Sequence, residues 1–159
     1  ALDGSVRANY SSEIAAAIAG AWRGYSAALA HFQASVAEET SPINLWPGHF
    51  DMTLMWLAGE KISGQDPKDE EYSDKQMSFG LSFGDASIPE PYIYVSAYPF
   101  PEAFRGVTLP AGSYWHSAGF NGAVVRYRDL VNTGDPHAYL IALWSTLVEA
   151  GRAHMLEHA

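Results

Sequence analysis

The apolar residues of this chain change period twice, and that change restricts the fold more than any other feature. From Ser11 to Glu39 they recur at helical spacing. Ile14, Ile18, Trp22, Tyr25, Leu29, Phe32 and Val36 stand four and three apart, a single stripe along one helix. Alanine fills the remaining positions and favours the helix, and Thr40-Ser41-Pro42 marks its end. Between Pro42 and Asp135 the period is two. Phe50, Met52, Leu54 and Trp56 alternate with His49, Asp51, Thr53 and Met55. Met77, Phe79, Leu81 and Phe83 alternate with Gln76, Ser78, Gly80 and Ser82. Ile93, Val95 and Ala97 alternate with Tyr92, Tyr94, Ser96 and Tyr98. Two shorter strands are expected around Gly112–Ala118 and Gly122–Tyr127, with Gly119-Phe120-Asn121-Gly122 as the turn between them. Asp135-Pro136 then opens a second helix, an N-cap followed by proline at the first helical position. Its apolar face is Leu140, Ile141, Trp144, Leu147 and Val148.

Helix, alternating strands and helix together predict an α+β fold. The expected form is a long N-terminal helix, an antiparallel β-meander of about four to five strands and a C-terminal helix, with the helices packed on one sheet face. The 159 residues make one domain over 1–159, long enough to bury about 70% of the unfolded surface. Residues 1–10 read as a flexible or vector-derived leader.

Charge and composition exclude several classes of partner. Nine Lys and Arg stand against 18 Asp and Glu, a formal net charge of −9, and no basic stripe occurs, so nucleic acid is not an expected partner. No apolar run approaches a membrane span, and no basic amphipathic anchor is present. Cysteine is absent, which removes disulfides, thiolate catalysis and thiolate metal sites. A cytoplasmic location is the default expectation, because Ala1-Leu2-Asp3-Gly4-Ser5 is not signal-like. Asn9-Tyr10-Ser11 fits the glycosylation triplet, which carries little weight without a secretory signal. The segment from Gly64 to Lys75, with Asp66, Asp69, Glu70, Glu71 and Asp74, reads as a solvated loop. It lacks the acidic order and central glycine of a helix–loop–helix calcium site.

Two motifs imitate catalytic sites. Gly80-Leu81-Ser82-Phe83-Gly84 fits the G-x-S-x-G nucleophile elbow, which works only at a strained strand-to-helix turn. The following Asp85-Ala86-Ser87-Ile88-Pro89-Glu90-Pro91 cannot begin a helix, so a serine hydrolase is not expected. His154-Met155-Leu156-Glu157-His158 fits the inverted zinc-protease motif H-x-x-E-H. It is followed only by Ala159, and Leu156-Glu157-His158 also matches the start of an affinity tag. Histidine near a helix C-terminus has a plain electrostatic reason as well.

The polar positions of the strands are more informative. With the apolar positions packed on the helices, the other face carries His49, Asp51, Thr53, Ser78, Ser82, Tyr92, Tyr94 and Tyr98. Tyr114 and His116 join them in one register of the following strand, Trp115 in the other. An ordinary solvent face would carry Lys and Glu, whereas this one carries hydroxyls, imidazoles and rings. Such a face suits a small-molecule pocket or an interface. The candidate ligand-binding residues are Trp46, His49, Asp51, Ser78, Tyr92, Tyr94, Trp115 and His116. If the chain is catalytic, His49 is the base, oriented by Asp51, with His116 or a tyrosine as acid. No cofactor is expected; His49, Asp51 and His116 form a weak candidate set for zinc or iron. Pro89-Glu90-Pro91 forms a rigid corner, best read as a break between strands, that would otherwise aim Glu90 at the same face.

Asn44-Leu45-Trp46-Pro47-Gly48-His49-Phe50-Asp51, Gln76-Met77-Ser78-Phe79-Gly80 and Ile88-Pro89-Glu90-Pro91-Tyr92 carry a family resemblance. Tyr98-Pro99-Phe100-Pro101 and Leu109-Pro110-Ala111-Gly112-Ser113-Tyr114-Trp115-His116 extend it. Over roughly Ser11 to Met155 the chain resembles the C-terminal half of the bacterial domain-of-unknown-function family 5996. The resemblance implies a fold and no activity. It also implies an additional N-terminal half, so that a missing half or a second copy in a homodimer would cover the polar face. Three readings follow: a small-ligand domain, an interaction domain, and a metal-dependent hydrolase.

Overall fold

The structure, a computed structural model, describes residues 11–69 and 72–156. Helix α1 spans Ser12–Ser35, and the side chain of Ser11 caps it by accepting the Ile14 N–H at 3.2 Å. The helix ends before Glu39, the end expected from its apolar stripe. The Ser35 hydroxyl donates to the Phe32 carbonyl at 2.7 Å, and Val36 is already extended. Beyond it the chain runs along the edge of the sheet instead. The Leu57 N–H donates to the Glu39 carbonyl and the Ser41 N–H to the Met55 carbonyl, both at 2.9 Å, and Thr40 bridges Trp56. Sheet pairing satisfies these backbone groups where one more helical turn would have left its last carbonyls open.

Six strands follow: β1 Asn44–Trp46, β2 Asp51–Lys61, β3 Asp74–Ser82, β4 Tyr92–Tyr98, β5 Ser113–His116 and β6 Gly122–Arg126. They form one antiparallel sheet in the order β1-β2-β3-β4-β6-β5. The meander therefore holds through β4, and the last hairpin is inverted so that β6 lies beside β4. Two features account for this. The connection from β4 to β5 is long and includes a 3-10 turn at Glu102–Gly106, which carries the chain past the neighbouring position. Gly122, at the start of β6, then fits against β4 where a Cβ would lie 2.6 Å from the Val95 carbonyl oxygen. The acidic segment is a slightly shorter loop than expected, because β3 begins within it at Asp74, and a Lys61–Asp74 ion pair of 2.7 Å joins the ends of β2 and β3.

Helix α2, Tyr127–Val131, follows β6 directly, and α3 spans Pro136–Met155. Asp135 caps α3 by accepting the Ala138 N–H at 3.0 Å, with Pro136 at the first position. The core lies between α1, α3 and one face of the sheet. Phe32 packs on Phe79 at 4.8 Å and Tyr25 on Trp144 at 5.5 Å between ring centroids. Leu54, Trp56, Met77, Phe79, Leu81 and Ile93 are among the sheet's fully buried side chains. Each such side chain stabilises the fold by about 1.5–3 kcal/mol. Gly151 brings α3 close to the sheet, since a Cβ there would meet the Met77 sulfur at 2.7 Å. Among the described residues the opposite face carries a smaller apolar cluster, Ile88, Tyr92 and Val124, with Tyr94, Tyr114 and Phe120 packed against it. No helix among the described residues is long and apolar enough to cross a membrane.

Candidate functional site

The face of the sheet turned away from α1 and α3 holds a groove with two adjoining lobes. One has a volume of about 570 Å³ and lies over Asp51, Ser82, Asp85, Tyr92, Tyr94 and Phe120. The other, about 780 Å³, extends across Trp46, Thr53, Ser78, Tyr72 and Tyr98. The lobes meet at Gly48, His49, Asp51, Tyr94 and Ser96, which line both.

Its centre is built from three neighbouring strands. Tyr94 on β4 stands opposite Gly80 on β3, and Gly80 stands opposite Thr53 on β2. A side chain at position 80 would block the path between β4 and β2. Glycine leaves it open, and the Tyr94 ring lies across β3 to donate its hydroxyl hydrogen to Asp51 Oδ2 at 2.6 Å. Asp51 is 9% exposed. Among the described residues it forms no ion pair, and Tyr94 is the hydrogen-bond partner of its side chain. Burial, and then the bond to the carboxylate, push the Tyr94 hydroxyl well above the usual tyrosine range, so it keeps its proton.

A second tyrosine–carboxylate pair stands beside the first. Tyr92 donates to Asp85 Oδ2 at 2.5 Å. The other oxygen of Asp85 accepts from the Ser87 N–H and hydroxyl and from the Ile88 N–H, at 2.6–2.8 Å. These bonds, that of Tyr92 foremost, hold the Asp85 carboxyl well below the usual carboxylate range. Tyr92 is pushed well above its usual range by burial and by Asp85. Asp85 thus ties down the loop after β3, which runs on to Pro91 without forming a helix. Ser82 is the last residue of β3, and its hydroxyl accepts the Gly84 N–H at 3.2 Å. The G-x-S-x-G stretch accordingly forms no nucleophile elbow.

Phe120, from the turn between β5 and β6, closes the inner end of the smaller lobe, with ring centroids 6.2 Å from Tyr92 and 5.9 Å from Tyr94. Gly122 makes room for it, since a Cβ there would meet the Phe120 ring at 3.1 Å.

Of the residues singled out in the sequence, Trp46, His49, Asp51, Ser78, Tyr92 and Tyr94 line the groove. The indole N–H of Trp46 donates to Thr53 Oγ1 at 2.6 Å, and its ring is 47% exposed at the rim. Trp115 lies on the other face. The pairing of Trp115 with Ala123 turns it toward Phe100 and Phe104, and its indole N–H donates to the Val107 carbonyl at 3.2 Å. His116 is on the groove side, but its Nε2–H donates to the Ala118 carbonyl at 2.6 Å and its ring packs on Phe120 at 4.7 Å. Phe120, not His116, is the residue that faces the cavity.

Among the described residues no hydrogen bond joins His49 to Asp51, although both line the junction of the lobes. His49 belongs to the four-residue turn between β1 and β2, and Phe50 interrupts the alternation with φ 59°, a left-handed conformation. Residues two apart share a face only in a continuous strand. The Phe50 ring instead packs on Trp22 of α1 at 5.0 Å. Among the described residues no three His, Asp or Glu side chains gather into a set that would hold a metal, so His49, Asp51 and His116 do not converge. Glu90 does not enter the groove either, because it pairs with Arg126 at 3.2 Å and Arg128 at 3.3 Å. His154 lies at the end of α3 against Phe104, while Glu157 and His158 lie outside the described residues, as do residues 1–10.

Ser96, Asp85 and Phe120 belong to the groove without having been singled out. Ser96 was legible, since it shares a strand face with Tyr92 and Tyr94. The other two come from loops, where alternation gives no signal.

A family model described as "Family of unknown function (DUF5996)" matches residues 3–155, nearly the whole chain. The chain belongs to this family. No curated protein and no solved structure matches it. Of the stretches carrying the family resemblance, 44–51 and 76–80 contribute most to the groove of this DUF5996 domain, 88–92 and 98–101 add Tyr92 and Tyr98, and 109–116 lies outside it. Trp46, Gly48, His49 and Asp51 line one side, Ser78 the middle strand, and Tyr92, Tyr94, Ser96 and Tyr98 the other side.

Proposed function

We propose that this domain binds a small organic ligand in the groove on the helix-free face of its sheet. The observation carrying this reading is the buried Tyr94–Asp51 pair at the junction of the two lobes, a polar anchor set within an aromatic wall. Lobes of about 570 and 780 Å³ fall within the size range of small-molecule sites. A thermal-shift screen of a metabolite library against the wild type and Ser96→Trp tests it. Ser96 lines both lobes, so a tryptophan there fills the junction. Compounds that raise the midpoint of the wild type and not of Ser96→Trp support the reading; equal shifts in both, or none, would sink it.

A second reading is an interface with another copy or another domain. It draws on Trp46 and Tyr72, large rings 47% and 42% exposed at the rim of the larger lobe. Light scattering at micromolar concentration discriminates: a dimer that Trp46→Ala dissociates favours the interface, and a monomer favours the groove.

A further inference from the structure

The ligand class can be narrowed from the hydrogen-bonding capacity left over in the groove. Each of the two inner tyrosines has one hydroxyl proton, and each gives it to a carboxylate: Tyr92 to Asp85 and Tyr94 to Asp51. What the two hydroxyls still offer a ligand is acceptor capacity. Asp51 adds a carboxylate that is nine-tenths buried and has no cationic partner among the described residues. No Lys or Arg is among the residues lining either lobe. The nearby arginines are engaged outside it, Arg126 and Arg128 on Glu90, with Arg126 also 5.7 Å from the Tyr114 ring centroid.

A buried carboxylate without a counter-ion is costly, and a cation arriving from solution relieves that cost. The wall around it is formed by the rings of Tyr92, Tyr94 and Phe120, whose faces attract positive charge. The formal net charge of −9 draws cations toward the surface and repels anions. Anionic ligands meet no Lys or Arg among the lining residues, and neutral ones bring Asp51 no counter-charge.

Resting on the groove reading above, we infer that the ligand is an organic ammonium ion: a primary or secondary amine, protonated at neutral pH, attached to a body of modest size. Its N–H groups donate to Asp51 and to the tyrosine oxygens, and its carbon body lies against the Phe120 end of the smaller lobe.

The test is calorimetric titration at pH 7 with three probes of one shape, benzylammonium, benzyl alcohol and benzoate, at low and high salt. Benzylammonium is expected to bind at least about tenfold more tightly than the other two, with the advantage reduced by salt. Asp51→Asn should abolish that preference. Because Asp51 is buried and its replacement can disturb folding, Ser96→Lys serves as the second variant. It places a cation at the junction of the lobes and should abolish benzylammonium binding while leaving the thermal midpoint near that of the wild type. Equal or tighter binding of benzyl alcohol or benzoate would overturn the cation inference and leave the groove standing. Absence of binding by all three at millimolar concentration would also overturn it, and the groove would then be judged by the library screen and Ser96→Trp alone.

Discussion

The Tyr94 ring occupies the space that a side chain at position 80 would fill: a Cβ on Gly80 would lie 2.2–2.5 Å from its Cζ, Cε1 and hydroxyl oxygen. The glycine is therefore a condition for the hydrogen bond from Tyr94 to Asp51, which spans three strands. Gly80→Ala should force the ring outward, break that bond and destabilise the protein by about 1–3 kcal/mol. On a Tyr94→Ala background the same substitution should cost far less, because nothing remains to be displaced. Urea denaturation of the four proteins closes the cycle; equal costs in both backgrounds would show that the two residues are not coupled.

The buried tyrosines predict an alkaline limit to stability. Burial chiefly, with help from neighbouring carboxylates, pushes Tyr25, Tyr92 and Tyr94 upward. A group raised in the folded state contributes stability that is complete below its unfolded value, about 10, and is lost as pH rises above it. Stability should hold to about pH 9 and fall steeply beyond pH 10. Tyr94→Phe should flatten that fall, and in ultraviolet titration it should remove one of the hydroxyls that ionise only on unfolding. It also leaves Asp51 without its hydroxyl donor, at a cost near neutrality of about 1–3 kcal/mol.

At the acid end the relevant pair joins the segment after α1 to α3. Arg152 donates from Nε and Nη2 to the two carboxylate oxygens of Glu38 at 2.6 and 2.8 Å, and holds the Glu38 carboxyl down at about 2. The sign is opposite to that of the tyrosines. A depressed carboxyl contributes stability that is present above its unfolded value, near 4.5, and lost as pH falls toward 2. Glu38→Gln should cost about 1–2 kcal/mol at pH 7 and progressively less as the pH falls from 4.5 toward 2. A gap between the two denaturation midpoints that stays constant over that range would contradict the assignment.

The layers of the fold were legible because each element buries one face, and burial writes itself into the sequence as a period. The middle of the α1 stripe, Tyr25, Leu29 and Phe32, the alternation of β3 and β4 and of β2 from Asp51, and the Asp135-Pro136 cap appear where expected. Ile14, by contrast, is 63% exposed, and Val36 lies beyond the helix. What escaped are features decided by contacts distant in sequence. The end of α1 depends on sheet edge groups at Met55 and Leu57, and the place of β6 depends on the close fit of Gly122 against Val95. In the groove, Tyr92, Tyr94, Asp51 and Ser78 followed from alternation, whereas His49 was misjudged as part of a strand. The left-handed turn at Phe50 breaks the periodicity there, and only the packing of its ring on Trp22 reveals why. Trp115 could not be assigned to a face before the pairing of β5 with β6 was known, since a shift of one residue exchanges the two sides.

Trp115 and Phe120 offer a direct test of which face is functional, because they are close in sequence and belong to opposite sides. Trp115 packs with Phe100 and Phe104 beside the main core, so Trp115→Ala should destabilise the protein by about 2–4 kcal/mol through lost packing. The groove does not touch it, so groove ligands should still bind at temperatures where the variant remains folded. Phe120 packs on Tyr92, Tyr94 and His116 at the end of the smaller lobe, outside the main core. Phe120→Ala should cost less stability and weaken binding by about 1 kcal/mol or more, the scale of one ring contact. Thermal denaturation paired with calorimetric titration of a groove ligand separates the two effects. If Trp115→Ala were the variant that lost binding while folded, the functional face would be the one beneath the helices, and the groove would be only solvent-exposed surface.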